Sequence, residues 1–346
     1  MAATKRPVPE PSPSDAFRDE ALVRAIARSV DALSAAPKGL AVALSGGADS
    51  AMLAVHAARF ARERGLALHC LHIHHGLQQA ADQWQAHVHD LAQRLRLPCH
   101  SVRVRVDVSQ GDGMESAARA ARYHALAELA RQADASHVLL AHHRDDQAET
   151  VLLRLLRGAG PTGLAAMAPS MARDGVTYLR PWLDAPRARL LQLADEYARS
   201  TGWRPVADPS NTDDQYTRAA VRQRLAPQLD QRWPGWQASL ARHARQSREV
   251  AQILHEVARQ DFAALDPDPD GASFALAKWR LLSPARQALV LRHWLAQRGL
   301  RMPSDARLHD LMRQMRGLHA LGHDRAMRVR HGGACVCCIR GRVLLE

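Results

Sequence analysis

Lysine is nearly missing from this basic chain: Lys5, Lys38 and Lys278 are the only lysines among 47 Lys/Arg residues, so arginine carries the positive charge. No stretch of about 18 apolar residues runs without a charge, which excludes a membrane-spanning helix and any expectation of a membrane partner. The opening segment MAATKRPVPEPSPSD has no apolar core, excluding a secretory signal peptide, and residues 1–18 are expected to form a disordered tail. Five cysteines, an odd number without secretory context, argue against a disulfide framework and for reduced thiols in the cytoplasm. Cys335, Cys337 and Cys338 crowd together without a fourth partner, a poor zinc set that better fits a partly buried strand. No internal repeat occurs at any period from about 20 to 50 residues, which disfavours a solenoid.

What the chain does have is length and net charge. Its 346 residues, 47% of them hydrophobic, are enough for two domains at roughly 150 residues each. The formal net charge is +12, and residues 225–346 carry 19 Lys/Arg against 11 Asp/Glu, so most of the surplus is C-terminal. An arginine surplus suits phosphate and stacked-base contacts, making a nucleic acid the expected partner. GC-rich codon usage would also explain the arginine-to-lysine ratio, though not the net charge.

From Lys38 onward, GLAVAL, LALHCLHIHHG, HSVRVRV and SHVLLAHH read as strands, each followed by a helical period. The fold class is therefore α/β, a doubly wound, Rossmann-like parallel sheet, expected over residues 19–214. Residues 215–346 read as a mainly helical basic domain ending in a small β meander. In such sheets the loops at the carboxyl ends of the strands converge on the ligand.

The most specific of those loops is Ser45-Gly46-Gly47-Ala48-Asp49-Ser50, between the first strand and the first helix after it. Paired glycines let backbone N–H groups crowd around an anion, and the helix N-terminus adds its positive dipole end. Asp49 would face a phosphate, which is tolerable only with a divalent cation between them. The Walker lysine is absent.

A second constellation, His142-His143-Arg144-Asp145-Asp146-Gln147-Ala148-Glu149, opens the helix after the fourth strand. Asp146 and Glu149 (i, i+3), like Asp145 and Glu149 (i, i+4), share a helix face, and such like charges repel unless a cation sits nearby. Mg²⁺ or a substrate ammonium fits; zinc on His142, His143 and the acids is a weaker alternative, because adjacent histidines diverge. Two further segments, His72 to Gly76 and Gly113 to Tyr123, contribute strand-end histidines and Glu115, Arg119 and Arg122 spaced along one helix. Glu115 and Arg119 also have the order of a surface salt bridge.

Taken in order, these segments resemble the tRNA(Ile)-lysidine synthetase family of N-type ATP pyrophosphatases. SGGADS resembles the pyrophosphate (PP) loop, HIHHGL the family's HVNHGL, GMESAARAARY its G-x-x-x-E-x-x-A-R-x-x-R-Y, and AHHRDDQAETVLLRLLRGAG its longest motif. Arg180-Pro181-Trp182-Leu183 and Asp208-Pro209-Ser210-Asn211-Thr212-Asp213 continue the match, strong over residues 38–230 and weak at the C-terminal end. The resemblance implies ATP-dependent ligation of L-lysine to the wobble cytidine of the CAU-anticodon isoleucine tRNA, through an adenylated cytidine. It implies that Ser45, Gly46, Gly47, Ala48, Asp49 and Ser50 hold ATP and that Asp49 and Asp146 hold Mg²⁺. Asp145, Asp146 and Glu149 would share Mg²⁺ and lysine, with Arg119 and His142 near the adenylate. The basic C-terminal domain would grip tRNA, and a homodimer is compatible with these expectations. Ala219 and His74 stand where the family usually has asparagine. A sulfur-inserting tRNA thiolase with the same loop is a rival, but Cys70 and Cys99 are single and make no CxxC pair. A non-catalytic RNA-binding adaptor is the alternative outside enzymes.

Overall fold

The computed structural model describes residues 17, 19–74, 81–104, 114–206, 214–215, 217–318 and 327–346. The His75-Gly76 turn, Gly113, the side chain of Glu115, the 208–213 segment and almost all of the expected tail lie outside the described residues. The chain divides into two compact units, up to Arg245 and from Gln246 onward.

In the first unit, helix α1 (Glu20–Asp31) starts at Asp19, whose carboxylate accepts the amides of Ala21 and Leu22 at 3.0 and 3.2 Å. Strands β1 (Gly39–Ala43), β2 (Ala67–His74), β3 (Cys99–Arg103) and β4 (His137–Leu139) alternate with helices α2 (Ala48–Arg64), α3 (Ala81–Arg94) and α4 (Met114–Gln132). Helix α5 (Arg144–Leu156) follows β4, and a short α6 (Pro161–Leu164) leads to an antiparallel pair, β5 (Ser170–Arg173) and β6 (Val176–Leu179). The sheet order is β3-β2-β1-β4-β6-β5, and every pairing except β5–β6 is parallel. The doubly wound class expected from sequence is what forms.

Alternation along the strands makes two cores. Leu40, Val42, Leu68, Cys70 and Leu139 pack with α1, α2, α3 and α7 (Arg187–Thr201) on one face. Ala41, Leu71 and Val138 pack with Tyr123, Leu126 and Ala130 of α4 on the other. Covering both faces explains why these strands read as nearly continuous apolar runs. Because β1 lies between β2 and β4, the connections leaving β1 and β4 open on the same crevice, the topological switch point of the sheet.

Beyond α7, α8 (Thr217–Ala220) runs through a π-helical turn (Val221–Leu225) into α9 (Ala226–Arg232). The long α10 (Trp236–Ala264) leads into the second unit. There α11 (Leu276–Leu281), α12 (Pro284–Gln297) and α13 (Asp305–Gly317) pack with β7 (Ser273–Ala275), β8 (Met327–His331), β9 (Ala334–Ile339) and β10 (Arg342–Leu345). The terminal meander gains β7, giving an antiparallel sheet β7-β10-β9-β8 over a core of Trp279, Trp294, Phe274 and Val336. Cys337 and Cys338 are buried in β9, and Cys335 is half-buried beside them.

Candidate active site

The β1–α2 connection folds as a nest. Gly46 adopts φ +91°, and a Cβ there would meet Val88 and Val206 at 3.2 and 3.3 Å. The loop is braced by its serines: Ser50 Oγ accepts the Ser45 amide at 3.2 Å and donates to the Gly47 carbonyl at 3.0 Å. Ser45 Oγ lies 3.0 Å from Ser50 Oγ. Gly47 caps α2 without a side chain, so the first-turn amides stay open to an anion. Gly46→Ala is expected to destabilise the loop by about 1–3 kcal/mol through forced positive φ and to weaken nucleotide binding. Calorimetric ATP titration together with thermal unfolding checks this.

Asp49, in the first turn of α2, faces α5 across the crevice. Its Oδ2 is 3.6 Å from His143 Nε2 and 3.8 Å from Arg187 Nε, while its buried Oδ1 accepts no hydrogen bond. Burial pushes the carboxyl up, but contact with His143 and the charges of His143, Arg187 and Arg222 outweigh it and hold the pKa below the ordinary 3.8.

His143 is the N-cap of α5. Its Nδ1 accepts the Asp146 amide and Asp146 Oδ2 accepts the His143 amide, both at 3.2 Å, forming a reciprocal capping box. With Nδ1 accepting, the hydrogen-bond network assigns the neutral ring's proton to Nε2, which faces Asp49 and Asp146. Burial disfavours a second proton on this ring, yet Asp49, Asp146 and Asp145 together raise its pKa above 6.5.

The expected acids separate into two roles. Asp145 Oδ2 accepts the Arg187 amide at 2.9 Å and so ties down the start of α7. Asp146 and Glu149 are buried and share one cation that their own spacing in the sequence does not reveal: Arg222, from the π-helical turn. Arg222 Nε and Nη2 donate to Glu149 Oε1 and Oε2 at 2.6 and 3.0 Å, and Nη2 also reaches Asp146 Oδ1 at 2.9 Å. Arg218, one turn earlier, donates to Thr150 Oγ1 at 3.2 Å and lies 3.7 Å from Glu149. Burial first, with repulsion from Asp146, raises the Glu149 pKa despite both arginines. The signal for this clamp was in the sequence: arginines at i and i+4 repel just as the acids do, and each pair supplies the other's counterions.

On the other side of His142 the charge is positive. Arg119 and Arg180 point to the Tyr123 hydroxyl at 3.4 and 3.3 Å, and the guanidinium carbons of Arg119, Arg122 and Arg173 sit 5.2, 5.8 and 4.9 Å from its ring centre. Arg119, Arg122 and Arg180 have no carboxylate partner among the described residues. Burial, reinforced by Arg180, Arg122 and Arg119 against Asp146, depresses His142 to about 3, and its Nδ1 is without a partner. The ring is thus neutral in the fold but titrates near 6.5 when unfolded, so its contribution to stability is lost as pH falls from 6.5 toward 3. His142→Gln should therefore lessen the loss of stability between pH 7 and pH 5 by about 2 kcal/mol in urea titrations.

The site thus has an anion nest, a carboxylate with a free buried oxygen, an acid pair that holds a cation, and a guanidinium cluster without a carboxylate partner among the described residues. Among the described residues no group of three or more His, Cys, Asp or Glu could hold a metal by itself. Mg²⁺ typically takes one or two carboxylates and completes its shell with phosphate and water, so the free Asp49 oxygen fits it. Both Asp146 oxygens are already engaged.

Comparison with known proteins agrees with this geometry. Residues 19–229 match the model of the PP-loop domain, and residues 274–344 match that of the TilS substrate binding domain. The chain is 59% identical to the tRNA(Ile)-lysidine synthase of Bordetella bronchiseptica over 99% of both chains. It is 60% identical to that of Bordetella pertussis over 93% of this chain and 100% of the relative. The U34-tRNA thiolase NcsA from Methanococcus maripaludis shares the fold, with TM-score 0.54 and 17% identity over 67% of this chain and 80% of that one. That likeness stops at the fold: Cys70 and Cys99 pair in register inside β2 and β3, and burial pushes both thiols up, Cys99 to about 11. With full-length relatives at this identity and an intact PP-loop, this chain is an enzyme with an ATP-binding domain and belongs to the tRNA(Ile)-lysidine synthase family.

Proposed function

We propose that the chain ligates L-lysine to the wobble cytidine of the CAU-anticodon isoleucine tRNA, using ATP with Mg²⁺ and passing through an adenylated cytidine. One observation carries the reading: a phosphate-shaped nest and an acid pair built around a cation face each other across one crevice, linked by Asp49 and His143.

The Ser45–Ser50 loop holds the β- and γ-phosphates, and Asp49, with its free oxygen, is the residue that holds Mg²⁺ there. Bound Mg²⁺ supplies neutralisation of the triphosphate and of pyrophosphate as it leaves. Arg119 and Arg180 draw charge from the α-phosphate as the cytidine oxygen attacks it. Neutral His142 offers Nδ1 as an acceptor near the adenylate. Asp146 and Glu149 take the lysine ammonium in exchange for Arg222, which marks the place and sign of the charge they bind. Amine attack then forms the new C–N bond and releases AMP. Asp145 serves this chemistry by holding α7 and Arg187 in place.

We assign tRNA grip to the basic part after residue 214, and binding should fall steeply with salt. The test is pyrophosphate release from ATP, Mg²⁺ and the cognate transcript, with and without lysine, in wild type, Asp146→Asn and Glu149→Gln. Both variants should raise the lysine KM about tenfold or more, as expected for a lost charge-assisted hydrogen bond. Unchanged lysine KM in both would refute the assignment, and no pyrophosphate release by wild type would favour an RNA-binding adaptor.

A further inference from the structure

Tyr123 is the least expected member of the site. It is 1% exposed and sits on α4, yet it is not isolated among apolar neighbours. Its backbone carbonyl accepts the Tyr178 hydroxyl at 3.0 Å, and the two rings meet edge to face at 4.9 Å, so its position is fixed by β6. Its hydroxyl lies where Arg119 and Arg180 converge, at 3.4 and 3.3 Å. Those guanidiniums come from different elements: Arg119 is exposed on α4, whereas Arg180 is 3% exposed just after β6 and is anchored by the Ala168 carbonyl at 2.8 Å. Two like charges would separate without a shared acceptor, and no carboxylate takes that place among the described residues.

We propose that Tyr123 is a positioning residue that holds Arg119 and Arg180 together as a single clamp for the α-phosphate of the nucleotide. This inference rests on the proposed adenylation. The phenolic oxygen is a lone-pair acceptor without formal charge, so it gathers both cations while leaving their charge available to an anion. A carboxylate in its place would neutralise them. Burial raises the phenol's pKa, but Arg119, Arg180 and Arg122 more than reverse that, consistent with an oxygen in a cationic field. The neighbouring nest holds the terminal phosphates through backbone groups, so the two ends of the triphosphate depend on separate parts of the chain.

Tyr123→Phe removes the oxygen and keeps the ring, its contact with Tyr178 and the backbone hydrogen bond. The affinity for AMP, measured by calorimetry, should weaken about tenfold while that for inorganic pyrophosphate stays within twofold. In single-turnover assays, tRNA-dependent pyrophosphate release should slow about 10- to 100-fold with lysine KM unchanged. A merely structural role would lower reaction amplitude with the folded fraction, leaving the rate constant and the AMP-to-pyrophosphate affinity ratio unchanged. That result, or wild-type AMP affinity and rate, would overturn the inference. If wild type bound AMP more tightly than the variant but released no pyrophosphate, the proposed reaction would fail while the clamp stood.

Discussion

Asp49→Asn is expected to lower turnover about a thousandfold while leaving the protein folded. The carboxylate makes few structural bonds: Oδ1 accepts none, and Oδ2 is 3.6 and 3.8 Å from its nearest cations, beyond good hydrogen-bond distance. Its charge is balanced by His143, Arg187 and Arg222 at a distance and not by close hydrogen bonds, and an amide of the same shape keeps the side chain's packing at a modest electrostatic cost. What the amide cannot do is balance a divalent cation against a triphosphate. Because its pKa lies below 3.8, Asp49 is ionised throughout the assay range. Its contribution to stability is present above pH 3.8 and lost as pH falls through the lower folded value. The defect in the variant should therefore be the same across neutral and alkaline pH. Urea unfolding and a pyrophosphate assay check the two halves; a variant that keeps a tenth of wild-type turnover would exclude Asp49 from the chemistry.

Arg222→Ala should have the largest effect on stability. Glu149 and Arg222 have side-chain exposures of 6% and 23%, and their contact is bidentate. Removing the arginine leaves Glu149 and Asp146 buried together without their principal counterion, at a cost of about 3 kcal/mol. For a unit of this size that corresponds to roughly 6–12 °C in melting temperature. It also detaches the π-helical turn from α5. The double variant Arg222→Met/Glu149→Gln removes both charges and should regain much of the stability while remaining inactive. A single variant as stable as wild type would show that the acids need no internal cation, and the exchange with lysine would lose its basis.

The nest and the acid helix were legible because each is local: a glycine pair between strand and helix, and acids at helical spacing after a strand. The parallel sheet was legible for the same reason, since strands buried on both faces read as apolar runs. The missing pieces depend on long-range pairing. Arg222 meets Glu149 across a separation of 73 residues, and Tyr123 meets Arg180 across 57. Strands β5 and β6 are four residues each; half of β5 is exposed, and β6, though mostly buried, is too short for its apolar residues to mark a strand. Spacing places Asp145 with the other acids, because nothing nearby in the chain shows that it bonds the Arg187 amide. Compactness parts the chain after Arg245 because Arg218 and Arg222 fasten α8 and the π-helical turn to α5, whereas the functional division we propose falls after residue 214.

The most direct measurement is mass spectrometry of the wobble nucleoside after incubating the full chain with ATP, Mg²⁺, L-lysine and the CAU-anticodon isoleucine tRNA. The account predicts cytidine that has gained one lysine and lost one water, with one AMP and one pyrophosphate formed per nucleoside and nothing formed when lysine or ATP is withheld. Unmodified cytidine with intact ATP, or ADP as the nucleotide product, would contradict it.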